Sequence, residues 1–342
     1  MKHSFRNDYS EGCHPKILEA LFANNDSQQN GYGEDEFCRK AETLILEKCK
    51  SSNSKVHFVS GGTFANLLVI SAVLKPYESV ISADSGHINS NETGAVEHAG
   101  HKIHSVFSEN GKLYPEQISE VLKIHTNFPH QVKPKLVYIS NATELGTVYT
   151  KKELKNLYEF CKKNRLFLFM DGARLGQAIA SENGDLSLED CAKFTDVFYI
   201  GGTKNGALFG EAIVVNNPEI LEDIRFHIKQ KGGLLAKGRV LGIQFLTLFQ
   251  DDLYFNLAKH ANLQMKKIKN KFEESGFRFL TETYSNQLFP ILNQKQIQTL
   301  QSEFEFYEWK KIDEHFSAIR LITSWKTNDE TVEKFIRMVS GL

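Results

Sequence analysis

Apolar residues along this 342-residue chain fall into two alternating patterns. Short, nearly unbroken runs predict strands buried on both faces: VHFVSGG (56–62), SVISAD (79–84), KIHSVFS (102–108), KLVYISNAT (135–143), RLFLFMDGAR (165–174) and DVFYIGG (196–202). Between them lie segments of helical character. TFANLLVISAVLK (63–75) is dense enough in apolar residues for a buried helix, while PEQISEVLKIH (115–125) and TKKELKNLYEFCKKN (150–164) are amphipathic. This alternation predicts an α/β fold with a largely parallel sheet covered on both faces. Beyond about residue 242 the pattern changes. One or two long helices are expected over 243–276, then short strand-like pieces (FRFL, NQLFPIL, EFEFYEW, AIRLITSW) and a final helix in NDETVEKFIRMVSGL.

In sheets of this kind, sites collect at the carboxyl ends of strands. Gly61–Thr63, His87, Asn141–Thr143, Asp171–Arg174 and Gly201–Lys204 are thereby expected along one rim.

Composition narrows the class. Forty-one basic residues against 42 acidic ones leave a formal charge of −1, which gives no support to a nucleic-acid binder. Five dispersed cysteines without a CxxC pair read as reduced thiols. There is no secretory h-region and no apolar run near the ~20 residues a membrane span needs. A cytoplasmic protein without membrane contact is expected.

Several segments carry candidate chemistry. SGGTFANL (60–67) joins a strand end to a helix, so amides at Gly62 and Thr63 could bind a phosphate; a glycine turn with a Thr N-cap and no ligand is the alternative. Asp171 ends an apolar strand with Arg174 three residues on, either as a structural pair or as a carboxylate and a cation facing a ligand. Lys204 lies in a glycine-rich turn with no acid beside it, and reads as a solvated loop lysine or as a depressed-pKa amine for covalent chemistry. His87 follows a strand and is placed to stack on a planar ligand. The histidines at 87, 98, 101 and 104 lack the companions of a metal set, and no metal is expected. Arg320, inside an apolar strand, requires an anionic partner, whether a protein acid or a substrate carboxylate.

Together these segments form a recognisable set. NDYSEGCHPKILEAL, GYGEDEF, SGGTFANL, SGHINSNETGAVE, LVYISNATELGTVYT, FLFMDGARLG, FYIGGTKNGALFGEA and IRLITSW resemble, in order and over essentially the whole chain, the threonine aldolase branch of the β-eliminating lyase family. The resemblance implies a pyridoxal 5′-phosphate enzyme of fold type I. It implies a large domain over 14–242 with a mainly parallel seven-stranded sheet, and a small α+β domain over 243–342 on which residues 1–13 pack. Lys204 then corresponds to the Schiff-base lysine, Asp171 to the partner of the pyridine nitrogen, and Gly62 and Thr63 to the phosphate site. His87 corresponds to the stacking ring and is the candidate base. Arg174 is matched to the cofactor's phenolic oxygen or the substrate carboxylate. Arg320 is matched to the substrate carboxylate, Asn7 to a substrate contact, and Lys231 to a phosphate contact across a subunit interface. A homodimer or homotetramer with shared sites is implied. So is retro-aldol cleavage of a β-hydroxy-α-amino acid, with β-elimination, transamination or a non-catalytic relative as alternatives. The chain departs from the family pattern in three places: Asn7 precedes Asp8 where many members have serine, GGTKNGALFG replaces the usual lysine turn, and NATELG, with Glu144, replaces an ENTHN-type motif.

Overall fold

A computed structural model describes residues 2–342. Seven strands form the main sheet: β1 (Lys55–Val59), β2 (Glu78–Ala83), β3 (Ile103–Val106), β4 (Lys133–Ser140), β5 (Phe167–Asp171), β6 (Val197–Gly201) and β7 (Glu211–Val215). Their order across the sheet is β1-β7-β6-β5-β4-β2-β3. β6, β5, β4, β2 and β3 run parallel, whereas β7 is antiparallel to both its neighbours. The fold class expected from the alternating runs is therefore the one observed.

Strand periodicity explains why these runs are apolar throughout. Leu136, Tyr138, Phe169, Val197 and Tyr199 face one core, while Val137, Ile139, Leu168, Met170, Phe198 and Ile200 face another. Side chains alternate across a strand, so a sheet covered on both faces needs apolar residues at every position. Helix Gly62–Val73 closes the first core with Ala65, Leu68 and Val69. Helix Lys151–Lys163 covers the other side with Leu154, Leu157 and Cys161, and its start is fixed by a capping box between Thr150 and Glu153.

The expected helical stretch at 243–276 is two helices, Arg239–Phe249 and Leu253–Glu274, separated by a short turn in which Asp251 and Asp252 take positive φ. A division at residue 242 would run through the first of these. That helix sends Phe245 and Leu248 into the core below the sheet. The second sends Leu257 into the same core and Met265, Ile268 and Phe272 into a separate one.

That separate core is built on strand Phe316–Ile322, which pairs with Ile291–Asn293 and Tyr307–Lys311, and on helix Asp329–Val339. Phe277–Leu280, expected as a strand, contributes only an isolated bridge between Phe279 and Pro290. The N-terminal segment joins this unit: His3–Ser4 pairs with Phe304–Glu305, and Phe5 packs against Phe304 and Phe335. Among the described residues no helix is long and apolar enough to cross a membrane.

Phe335 is fully buried against Phe5, Phe272 and Phe304. Phe335→Ala is expected to cost about 3–5 kcal/mol in urea unfolding, because the surrounding rings cannot all collapse into the vacated space.

Candidate active site

The strand ends place their side chains around one cavity of about 350 Å³. Gly61, Gly62 and Thr63 approach it from the end of β1, His87 from β2, Ser140 and Glu144 from β4, and Asp171 and Arg174 from β5. Thr203, Lys204, Phe209 and Glu211 enter from the hairpin joining β6 and β7, and Tyr9 from the N-terminal segment. Gly62 and Thr63 are the first residues of their helix, with Gly61 as its cap, so Thr63 is not the N-cap that the segment suggested. Their amides lie in the first helical turn, where N–H groups lack intrahelical partners.

Asp171 is buried at the end of β5. Its Oδ2 accepts hydrogen bonds from Tyr138 Oη (2.6 Å) and Asn66 Nδ2 (3.0 Å), and Oδ1 accepts from the Ala173 amide (2.9 Å). Burial pushes its pKa up, but donors from Tyr138, Tyr199 and Ala173, together with His87, outweigh burial and keep it a carboxylate. The turn after it is tight. A Cβ at Gly172 would lie 1.7 Å from the Tyr199 carbonyl oxygen, so only glycine fits.

His87 Nδ1 lies 2.8 Å from Glu92 Oε1, and the same oxygen accepts from Asn66 Nδ2 at 2.7 Å. Asn66 thus bridges the carboxylates of Glu92 and Asp171. The hydrogen bond to Glu92, opposed by burial, raises the His87 pKa above its usual 6.5. Glu144 Oε1 accepts from the His87 amide (2.9 Å) and Ser140 Oγ (2.7 Å). Burial and the nearby Asp171 raise its pKa. The turn carrying Glu144 is held from outside the sheet: Gln287 Nε2 donates to Thr143 O, Thr281 Oγ1 to Leu145 O, and Ser285 Oγ to Gly146 O.

Arg174 does not pair with Asp171. Its Nε and one terminal nitrogen donate to Asp8 at 2.7 and 3.0 Å, and Asn286 donates to the same carboxylate at 2.9 Å. Asp171 is instead supported by the neutral donors Tyr138, Asn66 and the Ala173 amide. Asn7 Oδ1 is taken up by Tyr9 N and Ser10 Oγ, and Asn7 does not line the cavity. Lys231 also lies off the cavity, at the end of helix Ile224–Gln230; the following Gly233 packs on Phe64.

Arg320 forms no ion pair in this structure. Its guanidinium lies over Trp309 (4.4 Å) and Tyr307 (5.4 Å), and its buried Nε has no hydrogen-bond partner. Burial and the charge of Arg174 lower its pKa to about 10. Among the described residues no acid pairs with Arg320, which is half-buried.

Lys204 is half-buried in the cavity and forms no ion pair among the described residues. Burial and Arg174 lower its pKa, against the opposing pull of Asp8, Asp171 and Glu211. Its turn is not free of acids in space: Glu211, the first residue of β7, folds back and accepts from Gly202 N and Thr203 Oγ1, both at 2.9 Å. This donor set suits pyridoxal phosphate on chemical grounds: an ionised buried carboxylate, a lysine poised for deprotonation, a ring beside a wall and open amides at a helix start. The residues absent from the sequence reading are Asp8, Tyr9, Asn66, Glu92, Tyr138, Tyr199 and Glu211. The one signal available was the position of Asp8 and Glu211 beside residues already singled out. Among the described residues no group of three His, Cys, Asp or Glu side chains gathers as a metal set.

Such a sheet, with its small second unit and a lysine hairpin at the rim, defines a two-domain α/β protein of the aminotransferase-like fold. A Thermus thermophilus aspartate aminotransferase shares it at a TM-score of 0.72 and 12% identity, over 99% of this chain and 91% of that one. The β-eliminating lyase family model matches residues 5–295, and the chain belongs to that family. It is similar to the low specificity L-threonine aldolase of Pseudomonas aeruginosa, with 32% identity over 98% of each chain. It also resembles a Leishmania major threonine aldolase structure, with a TM-score of 0.97 and 44% identity over 99% of each chain.

The Asp8–Arg174 pair gives a pH-dependent expectation. Burial raises the Asp8 pKa, yet Arg174 holds it below the ordinary 3.8. The folded value is depressed, so this stabilisation is complete above the unfolded value and is lost as pH falls through the folded one. Asp8→Ala, which strands the buried guanidinium, is expected to cost about 3–5 kcal/mol at neutral pH. It should also flatten the acid limb in urea titrations against pH.

Proposed function

We infer that this chain is a pyridoxal-phosphate-dependent aldolase that cleaves threonine or allo-threonine to glycine and acetaldehyde. The observation that carries this reading is Lys204, half-buried and without an ion pair in the same cavity as an ionised Asp171. End-to-end similarity to threonine aldolases supports the substrate class. When bound, pyridoxal phosphate supplies an electron sink for the pair left by the broken Cα–Cβ bond.

The chain's residues do the rest. Lys204 would hold the cofactor's aldehyde end, Gly62 and Thr63 its phosphate, and Asp171 would keep a proton on the ring nitrogen. His87 would stack on the ring, and Arg174 keeps one terminal nitrogen free for an oxyanion. Arg320, with its unpartnered Nε, is assigned to the substrate carboxylate; it reaches that group by leaving its aromatic shelf. Asn7 is assigned a backbone-shaping role rather than a substrate contact. The β-hydroxyl proton goes to His87 Nε2, since Nδ1 is occupied by Glu92. The free oxygen of Glu144 is the second candidate, favoured by its position in the cavity and its raised pKa. Tyr9 and Phe209 line the cavity yet remain 54% and 37% exposed, apolar surface that a second copy would cover in a homodimer or tetramer. In that assembly Lys231 would reach a neighbouring phosphate.

Purified protein with pyridoxal phosphate is expected to release acetaldehyde from one or both threonines; release of ammonia or a keto acid alone would instead assign β-elimination or transamination. Borohydride reduction should trap the cofactor on the Lys204 peptide, and an adduct on another lysine would overturn the site. His87→Asn is expected to lower kcat by roughly 10²–10⁴-fold if His87 is the base. Either base works only when deprotonated, and both pKa values are raised. The rate should therefore climb with pH through a midpoint above 6.5 for His87, or above 4.5 with Glu144→Gln deficient for Glu144.

A further inference from the structure

Glu211 is the only acid of the Lys204 hairpin, and the roles assigned above leave it without a task. It opens β7 opposite Gly201, is buried, and lines the same cavity as the lysine. Its two oxygens accept from the two residues that precede Lys204: Gly202 N–H to Oε2 and Thr203 O–H to Oε1. Thr203 Oγ1 itself accepts from the Gly210 amide at 3.0 Å, so its own proton is committed to Glu211. Gly210 holds this geometry at a φ of +114°.

Two neutral donors do not compensate a buried negative charge. Burial pushes the Glu211 pKa up to about 8, against the hydrogen bond from Thr203 and the charge of Lys204. Burial lowers the lysine's. The two affinities for a proton therefore converge. The other titratable groups facing the pair are Asp171 from β5, Tyr199 from β6, Tyr254 from helix Leu253–Glu274, His87 from the end of β2, and Asp8 and Arg174 on the lysine's side.

We propose that Glu211 is the proton partner of Lys204. One N–H bond of the ammonium breaks and leaves its electron pair on Nζ, and one O–H bond forms on the carboxylate, giving a neutral amine and a carboxylic acid. The reverse transfer restores the ammonium. Nζ and the carboxylate do not form an ion pair in this structure, so the transfer runs through solvent in the cavity that both line: water takes the proton from Nζ and delivers one to the carboxylate. The assignment rests on the reading of Lys204 as the reactive amine, and it makes Glu211 a group that sets when this amine is free.

The test reads the lysine directly, without turnover. Full-length protein stripped of pyridoxal phosphate is pulsed with acetic anhydride across a pH series, and acetylation of Lys204 is quantified by peptide mass spectrometry. Glu211→Gln is expected to lower the Lys204 midpoint by about one pH unit, a roughly tenfold gain in free amine at a given pH. Glu211→Asp should retain most of the wild-type midpoint. Thr203→Val withdraws the hydroxyl from Oε1 without touching either titrating group, and is expected to lower the midpoint in the same direction. It carries the test if the Gln variant does not fold. An unshifted midpoint in a folded Glu211→Gln protein, or in Thr203→Val alone, overturns the proposal and leaves Glu211 as a clasp for the turn. Borohydride mapping keeps the two claims apart. Cofactor on Lys204 with an unshifted midpoint sinks only the proton-partner role, whereas an adduct elsewhere sinks the reading beneath it.

Discussion

A carboxylate kept charged inside the protein is the constraint on which the rest of this site depends. Asp171 lies at the end of a strand with apolar cores on both faces, where an unsupported charge would be neutralised or expelled. Its donors come from separate elements: Tyr138 from β4, Tyr199 from β6, Asn66 from helix Gly62–Val73, and the amide two residues on. Those elements must therefore keep fixed spacings. The polar atoms of the otherwise apolar upper core converge on one carboxylate, and the network continues through Asn66 and Glu92 to His87. Fold and chemistry share one set of bonds here.

Around that anchor, charge is arranged in unequal pairs. Asp8 and Arg174 pair with each other, at distances suited to a bidentate bond. Lys204 and Arg320 are half-buried cations without ion-pair partners among the described residues, and the half-buried Glu144 and the buried Glu211 are acids whose pKa values are raised. Satisfied pairs hold geometry, while unsatisfied groups are the ones free to respond to a ligand. Arg174 of the first kind and Lys204, Glu144 and Glu211 of the second line the same cavity, whereas Arg320 lies outside its lining.

Much of this was legible from strand ends alone. The runs ending at Val59, Ala83, Ser140, Asp171 and Gly201 were long and apolar enough to be identified as buried parallel strands, and their following residues do meet. What the pattern could not give was the destination of side chains that reach across the fold. Arg174 and Asp171 are neighbours in sequence, yet the arginine goes to Asp8, 166 residues away. Glu211 looked like a strand residue; only the antiparallel return of β7 brings it back under Lys204. Arg320 was expected to meet a protein acid or a substrate carboxylate; the protein acid is not there, and two aromatic rings from the adjacent strand pack on the guanidinium. Lys231 and Asn7 were transferred by motif, which specifies neighbours along the chain but not the direction of a side chain.

The turn that carries Glu144 belongs to two bodies at once. It leaves the carboxyl end of β4, but its carbonyls at Thr143, Leu145 and Gly146 are gripped by Gln287, Thr281 and Ser285 from the segment leading into the smaller core. Any rocking of that smaller unit must either drag this acid with it or break three hydrogen bonds. In such a motion the wall of the cavity nearest Glu144 would travel as a passenger of the smaller unit, and the width left for a substrate's side chain would be a mechanical property of the whole molecule.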